Sequence, residues 1–119
     1  LVDAPCSGLG TLRRNPDLKW RQTPGSIAEM STKQAVILAA AATLVKPGGR
    51  LVYATCSLLE AENEEVVRSF LAGHPEFVTC SAQEVLATQG IMIDCGERLR
   101  LLPHRHGTDA FYAAVMERK

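Results

Sequence analysis

Two short apolar runs each end in a cysteine followed by a serine: Leu1-Val2-Asp3-Ala4-Pro5-Cys6-Ser7 and, fifty residues later, Leu51-Val52-Tyr53-Ala54-Thr55-Cys56-Ser57. Thiolates are the strongest side-chain nucleophiles near neutral pH, and a small fraction of an unperturbed thiol is ionised there. A thiol can add to an electron-poor ring carbon. Carbon 5 of cytosine is too unreactive to take a methyl group directly, but a nucleophile added at carbon 6 turns it into an enamine-like carbon that can. A carboxylic acid at the ring's nitrogen edge stabilises such an adduct, and a base must later remove the proton from carbon 5. Asp3, Cys6 and Cys56 have the groups to fill these roles.

That chemistry needs the two cysteines in one place, so the elements between them matter. Residues 1 to 3 read as the end of a buried strand. Pro5, Gly8 and Gly10 then forbid regular structure and predict a loop to about Pro24, long enough to suggest function. Ser26 to Lys46 is the strongest helix signal: Ala, Leu, Ile, Met and Gln dominate, no Gly or Pro interrupts it, and Lys46-Pro47-Gly48-Gly49 stops it. Its stripe of Ile27, Met30, Leu38, Ala41 and Val45, with Ala35, Ala39 and Ala42 on a neighbouring arc, predicts a second half that lies flat on a sheet. Arg50 to Thr55 is apolar enough for a central parallel strand. Strand, helix, turn, strand is a crossover unit, which brings Asp3 to Cys6 and Thr55 to Ser57 to the same sheet edge, where ligands of open sheets bind.

The remainder is scaffold by its pattern. Ser57-x-x-Glu60 matches a capping box, with Asn63 an equally good cap, ahead of a helix whose buried face is Val66, Val67, Phe70 and Leu71. Glu60, Glu62, Glu64 and Glu65 in its first turns are explained by the helix dipole, so no catalytic carboxylate is assigned there. His74 reads as a surface helix terminator. A short apolar run begins at Phe77, a helical turn covers Ala82 to Ala87, and a loop spans Gly90 to Gly96. Cys80 and Cys95 read as small buried apolar residues. Arg98 to Leu102 and Ala110 to Met116 predict an antiparallel pair at a sheet edge, joined by the polar loop Pro103 to Asp109. The class is therefore α/β, with a mostly parallel sheet and an antiparallel edge pair.

With 119 residues and 46% hydrophobic composition, the chain is at most one domain and can bury roughly two thirds of its unfolded surface. Lys plus Arg and Asp plus Glu number 13 each, so global charge points to no partner and only local patches speak. One patch stands out: Arg13, Arg14, Lys19 and Arg21 against Asp17, beside Trp20. It reads either as a solvated loop with a packing tryptophan or as a phosphate-contacting loop with a stacking platform. Four cysteines without a Cys-x-x-Cys pair, and no secretory signal, argue for reduced thiols in the cytoplasm rather than a disulfide framework or a metal site. His104, Arg105 and His106 lack a third ligand at a familiar spacing. Ala35 to Val45 is too short to span a bilayer. The opening on Leu1-Val2, with neither methionine nor leading turn, predicts a piece of a longer protein.

Several stretches resemble one family, the RNA 5-methylcytosine methyltransferases, and within it the Sun/Fmu branch of bacterial 16S ribosomal RNA enzymes. Asp3-Ala4-Pro5-Cys6-Ser7-Gly8 with Gly10 to Asp17 and Lys19-Trp20 is similar to its motif IV and downstream loop. Lys46 to Gly49, Tyr53-Ala54-Thr55-Cys56-Ser57 and Glu62-Asn63-Glu64 resemble the motif VI region, and Leu101 to His104 with Gly107 to Tyr112 the last motif. One departure is Ala110, where the family pattern has glycine. The resemblance implies the C-terminal part of a Rossmann-like fold that uses S-adenosylmethionine, without the glycine-rich cofactor loop. It implies Cys56 as the nucleophile, Cys6 assisting proton removal and enzyme release, and Asp3 at both the catalytic and the cofactor crevice, with Pro5 beside it. Arg13, Arg14 and Lys19 are the implied substrate contacts. RNA is the implied partner, ribosomal before transfer RNA, because enzymes acting on DNA use the motif IV cysteine instead.

Two other readings stand beside this one. The first is a non-catalytic fragment that binds RNA through the basic loop or merely folds as scaffold. The second is a two-cysteine redox or metal protein. An uncovered strand edge would also invite self-association.

Overall fold

The computed structural model describes residues 1–12, 14–17, 20 and 22–119, with Arg105 by its backbone alone. Arg13 and Lys19, two of the expected substrate contacts, and Arg21 lie outside the described residues. Five strands form one sheet: β1 (Val2–Asp3), β2 (Arg50–Thr55), β3 (Phe77–Cys80), β4 (Arg98–Leu101) and β5 (Phe111–Arg118). Among the described residues four α-helices accompany them: α1 (Pro24–Ala42), α2 (Glu64–Gly73), α3 (Ala82–Ala87) and the short α4 (Pro103–His106).

Helix α1 begins two residues before the expected start. Thr23 Oγ1 accepts from Ser26 N at 3.1 Å and Ser26 Oγ accepts from Thr23 N at 2.9 Å, a reciprocal cap, with Pro24 at the first helical position where its missing N–H costs nothing. The helix ends at Ala42 rather than Lys46, because Thr43, Leu44 and Val45 donate three residues back in a tightened last turn. Gly48, at φ 81, then makes the left-handed turn into β2.

β1 and β2 pair in parallel, Val2 opposite Tyr53 and Asp3 opposite Ala54, so the crossover through α1 is as expected. The rest of the sheet departs from a mostly parallel arrangement. β5 lies between β2 and β3, antiparallel to both, and β4 is also antiparallel to β5, giving a mixed sheet. The β4–β5 pair forms as expected, but β5 is interior rather than at the edge. Only about nine residues join β4 to β5, too few for the crossover a parallel pair needs. β1 lies at one margin of the sheet.

The core is one face of this sheet under α1 and α2. Leu51 and Tyr53 of β2 and Tyr112, Ala114 and Met116 of β5 alternate toward it and meet Leu38, Ala42, Val66, Val67 and Phe70. Burying each large apolar side chain here stabilises the fold by roughly 1.5–3 kcal/mol. Helix α1 does not bury the stripe expected of it. Of that stripe only Leu38 is fully buried, Ile27, Met30, Ala41 and Val45 are half-buried, and Val36 and Leu44 stay 65% and 84% exposed. Beside Leu38, α1 completely buries a polar residue, Gln34. Cys80 and Cys95 are half-buried rather than core residues. Among the described residues no helix is long and apolar enough to cross a membrane.

Candidate active site

The last β1–β2 ladder contact is Ala4 N donating to Ala54 O at 2.9 Å, two residues before each cysteine. Beyond it the two strands release their side chains at the same end. Cys6 Sγ lies 3.3 Å from Cys56 Sγ, both half-buried and both free thiols. That separation is a thiol–thiol contact, far longer than a disulfide bond of about 2.05 Å. Burial first, then the contact with Cys56, pushes the Cys6 thiol from about 9 up to about 12. Cys6 therefore keeps its proton at neutral pH, and two thiols this close do not ionise together.

The loop after Cys6 is stitched onto this pair through Gly10. Gly10 N donates to Cys56 O at 2.8 Å, and Gly10 O accepts from Ala110 N at 2.9 Å. A β-carbon at Gly10 would lie 2.4 Å from Cys56 O and 2.8 Å from Ala110 O, both backbone atoms that cannot swing away. Gly10→Ala is expected to cost on the order of 3 kcal/mol and to part the two thiols. A fall in the urea midpoint together with slower Cys6–Cys56 crosslinking checks this; an unchanged midpoint would contradict the packing. Ala110, whose N–H makes one bond of this stitch, is buried.

Sequence reasoning dismissed Glu62, and here the structure differs. Glu62 is fully buried. Its Oε1 accepts from Ser7 N at 2.7 Å, its Oε2 accepts from Ser7 Oγ at 2.7 Å, and Ser57 Oγ donates to the same Oε2. Gln34 Nε2 donates to Pro5 O at 2.8 Å and lies 3.5 Å from Glu62 Oε1. The expected Ser57–Glu60 capping box does not form, because Ser57 is engaged by Glu62. Asn63 precedes α2 without capping it: its Oδ1 accepts from Thr55 Oγ1 and its Nδ2 donates to Ser57 O at 2.9 Å. The signal that could have exposed Glu62 is its pairing with the two Cys-Ser dipeptides, which spacing along one helix face does not reveal.

The other expected residues are placed less tightly. Asp3 and Pro5 are exposed on the segment that leads into Cys6, which Gln34 holds through Pro5 O. Arg14 does not stand free. Its Nε donates to Asp109 Oδ2 at 2.7 Å, tying the basic loop to the last motif, though the side chain is 63% exposed. Trp20 is 80% exposed. His106 Nδ1 accepts from Leu102 N at 3.0 Å and so caps α4, and no metal-ligating cluster of three exists among the described residues. His74 ends α2 as expected, its ring stacked on Phe70 at 4.2 Å.

Two buried tyrosines hold the 60–64 turn onto the sheet. Tyr53 OH donates to Glu62 O at 2.6 Å and Tyr112 OH to Glu64 Oε2 at 2.7 Å. Burial and the Glu62 charge raise Tyr53, and burial and the Glu64 bond raise Tyr112. With Cys6, three groups thus bind protons more tightly folded than unfolded. The unfolded chain loses these protons first, so their contribution is complete below about pH 9 and is lost as pH rises toward 12. The urea midpoint is expected to be lower at pH 10.5 than at pH 8, and a midpoint that holds or rises would overturn this assignment.

The chain resembles known proteins over nearly its whole length. A family model described as 16S rRNA methyltransferase RsmB/F matches residues 1–117. A Synechocystis protein named "Probable ribosomal RNA small subunit methyltransferase B" is 45% identical over 99% of this chain and 26% of its own length. The crystal structure of PH0851 superposes with a TM-score of 0.85 at 43% identity, covering 98% of this chain and 25% of that one. The structure titled "NSun6 from Pyrococcus horikoshii with SFG" does so at 0.79 and 29% identity, covering 98% of this chain and 29% of that one. The chain spans about a quarter of the length of the curated relatives it matches. A pair of thiols at the ends of two parallel strands, in a chain that this family's model covers almost end to end, leaves one assignment: the chain belongs to the 16S rRNA methyltransferase RsmB/F family.

Proposed function

We propose that the protein carrying this chain methylates carbon 5 of a cytosine in RNA, with 16S ribosomal RNA the favoured substrate, through a covalent adduct on Cys56. Residues 1–119 would be the C-terminal, catalytic portion of its methyltransferase domain, working in the cytoplasm. The observation that carries this reading is the pair of thiols 3.3 Å apart at the ends of β1 and β2. One thiol can attack a ring while the other, holding its proton, waits beside it.

Cys56 gives its proton to water and its Sγ adds to carbon 6. The electron pair of the 5,6 double bond moves onto the ring and its nitrogen edge, where the Asp3 carboxyl bonds the adduct, and returns to carbon 5 to take the methyl group. S-adenosylmethionine, when bound, supplies the electrophilic methyl group that carbon 5 takes. Once Cys56 is a thioether it can carry no charge, so its charge no longer raises Cys6, while burial, the largest cause, still does. Cys6 then gives its proton to water and removes the proton from carbon 5. The electron pair of that C–H bond forms the 5,6 double bond, and the carbon 6–sulfur bond breaks with its pair returning to Cys56. The exposed Asp3 carboxylate and the exposed ring of Pro5 fit one wall of a cofactor site: an acceptor for ammonium or hydroxyl donors beside an apolar face. The relative solved with SFG, an S-adenosylmethionine analogue, supports that cofactor. Arg13, Arg14 and Lys19 would contact the RNA backbone and Trp20 would stack on a base. The target cytosine must leave its stack to reach the crevice, at a few kcal/mol.

The test is methyl transfer from labelled S-adenosylmethionine by the full-length protein, with 16S ribosomal RNA and transfer RNA compared. Label in 5-methylcytosine of the ribosomal RNA is expected. RNA binding without any transfer would favour the non-catalytic reading.

A further inference from the structure

The two cysteine turns are built alike. In Cys6-Ser7-Gly8-Leu9, Ser7 Oγ accepts from Leu9 N at 3.3 Å; in Cys56-Ser57-Leu58-Leu59, Ser57 Oγ accepts from Leu59 N at 3.1 Å. Each serine hydroxyl therefore closes its own turn and has one proton left to give. Both give it to Glu62 Oε2, while Ser7 N occupies Oε1. Past the Ala4–Ala54 contact the β1–β2 ladder has ended, and beyond the Gly10 backbone bond to Cys56 O only side chains join the two cysteine turns. A fully buried carboxylate that accepts from both turns, held in turn by Tyr53 OH on its own backbone carbonyl, is a rigid strut between them.

We infer that Glu62 is the positioning residue that sets the Cys6–Cys56 separation, by clamping the Ser7 and Ser57 turns on one buried carboxylate. The inference rests on the reading of these cysteines as the reacting thiols. A scaffold role alone would change stability; a clamp changes how often the thiols meet and how fast the bound RNA reacts. Misplacing a reacting group by about 1 Å can cost on the order of 100-fold in rate.

The experiment uses the full-length protein, wild type, Glu62→Gln, and the double variant Ser7→Ala with Ser57→Ala. The effective concentration of the thiol pair is read from the Cys6–Cys56 disulfide in glutathione buffers, by acid quench, alkylation and peptide mass spectrometry. Oxidised glutathione takes the two electrons and leaves as two thiols. Glu62→Gln is expected to lower the effective concentration tenfold or more, and the double variant to match it, since both cut the same link. Single-turnover methyl transfer falls by a similar factor, while RNA affinity stays within twofold. An effective concentration within twofold of wild type in the folded variants overturns the clamp, as does a wild-type pair that forms no disulfide under these conditions. Should Glu62→Gln fail to fold, the double variant, which leaves Glu62 its Ser7 amide bond, decides alone. Wild-type protein that methylates no RNA, yet whose thiol pairing still depends on Glu62, defeats the proposed function and leaves the clamp standing.

Discussion

Cys56→Ser protein is expected to form no covalent complex with RNA carrying 5-fluorocytosine in the presence of S-adenosylmethionine, whereas wild type is trapped. After methyl transfer to such a ring, carbon 5 holds fluorine in place of the proton that must leave, so the adduct cannot resolve. Serine places a hydroxyl where the thiol stood, but it ionises far too weakly near neutral pH to add to carbon 6. Loss of a covalent nucleophile lowers turnover by on the order of 10⁴-fold or more, about 5 kcal/mol of barrier. The measurement is denaturing electrophoresis of the protein–RNA mixture beside a rate of label transfer. The geometry makes the result decisive because the second thiol lies only 3.3 Å away. If the trapped complex vanished in Cys6→Ser and survived in Cys56→Ser, the nucleophile would be Cys6 and the assignment to RNA-type chemistry would be reversed.

Cys6→Ser is expected to behave in the opposite sense: it should methylate once and then stay attached. On the proposed mechanism the wild type releases its product from ordinary cytosine, because Cys6 takes up the proton of carbon 5 when Cys56 is already bound to the ring. Burial, the largest cause, and the Cys56 neighbour together hold Cys6 near 12, and converting Cys56 to a thioether removes the contribution of its charge. A serine in this place is no base, so elimination should slow by roughly 10²–10⁴-fold, the usual range for loss of a general base. The expected signature is a single burst of methyl transfer, stoichiometric with protein, and a denaturation-resistant complex that wild type does not accumulate. Turnover at the wild-type rate would show that some other group removes the proton.

Both outcomes depend on parts of the site that differ in how openly the sequence displays them. The cysteines were legible because each ends an apolar run of strand length. A crossover helix between two such runs obliges them to emerge at one sheet edge, and β2 has the expected bounds. The antiparallel β4–β5 pair was legible for a similar local reason, two β-rich runs with a short polar connection. What these patterns do not carry is the order of strands across the sheet. β5 inserts between β2 and β3, and that choice is made by which alternating faces fit together under α1 and α2.

The same distinction runs through the side chains. Local spacing assigns Glu62 to a helix start, where a solvated carboxylate serves the dipole, and assigns Ser57 to a capping box. In the folded chain a 3-10 turn at residues 60–62 rotates Glu62 under the sheet edge, where three hydrogens from Ser7 and Ser57 satisfy its charge. Gln34 likewise belongs to an apolar stripe by neighbourhood, yet it is buried because Pro5 O needs a donor. Arg14 reads as a free cation until Asp109, ninety-five residues away, is brought beside it. By itself the sequence determined which residues are candidates for the chemistry and that the two thiols share an edge, because strand length, helix period and chain connectivity are local properties. Only the tertiary structure decided the 3.3 Å between those thiols and the carboxylate that braces them, because buried polar groups choose partners by distance in space rather than by distance along the chain.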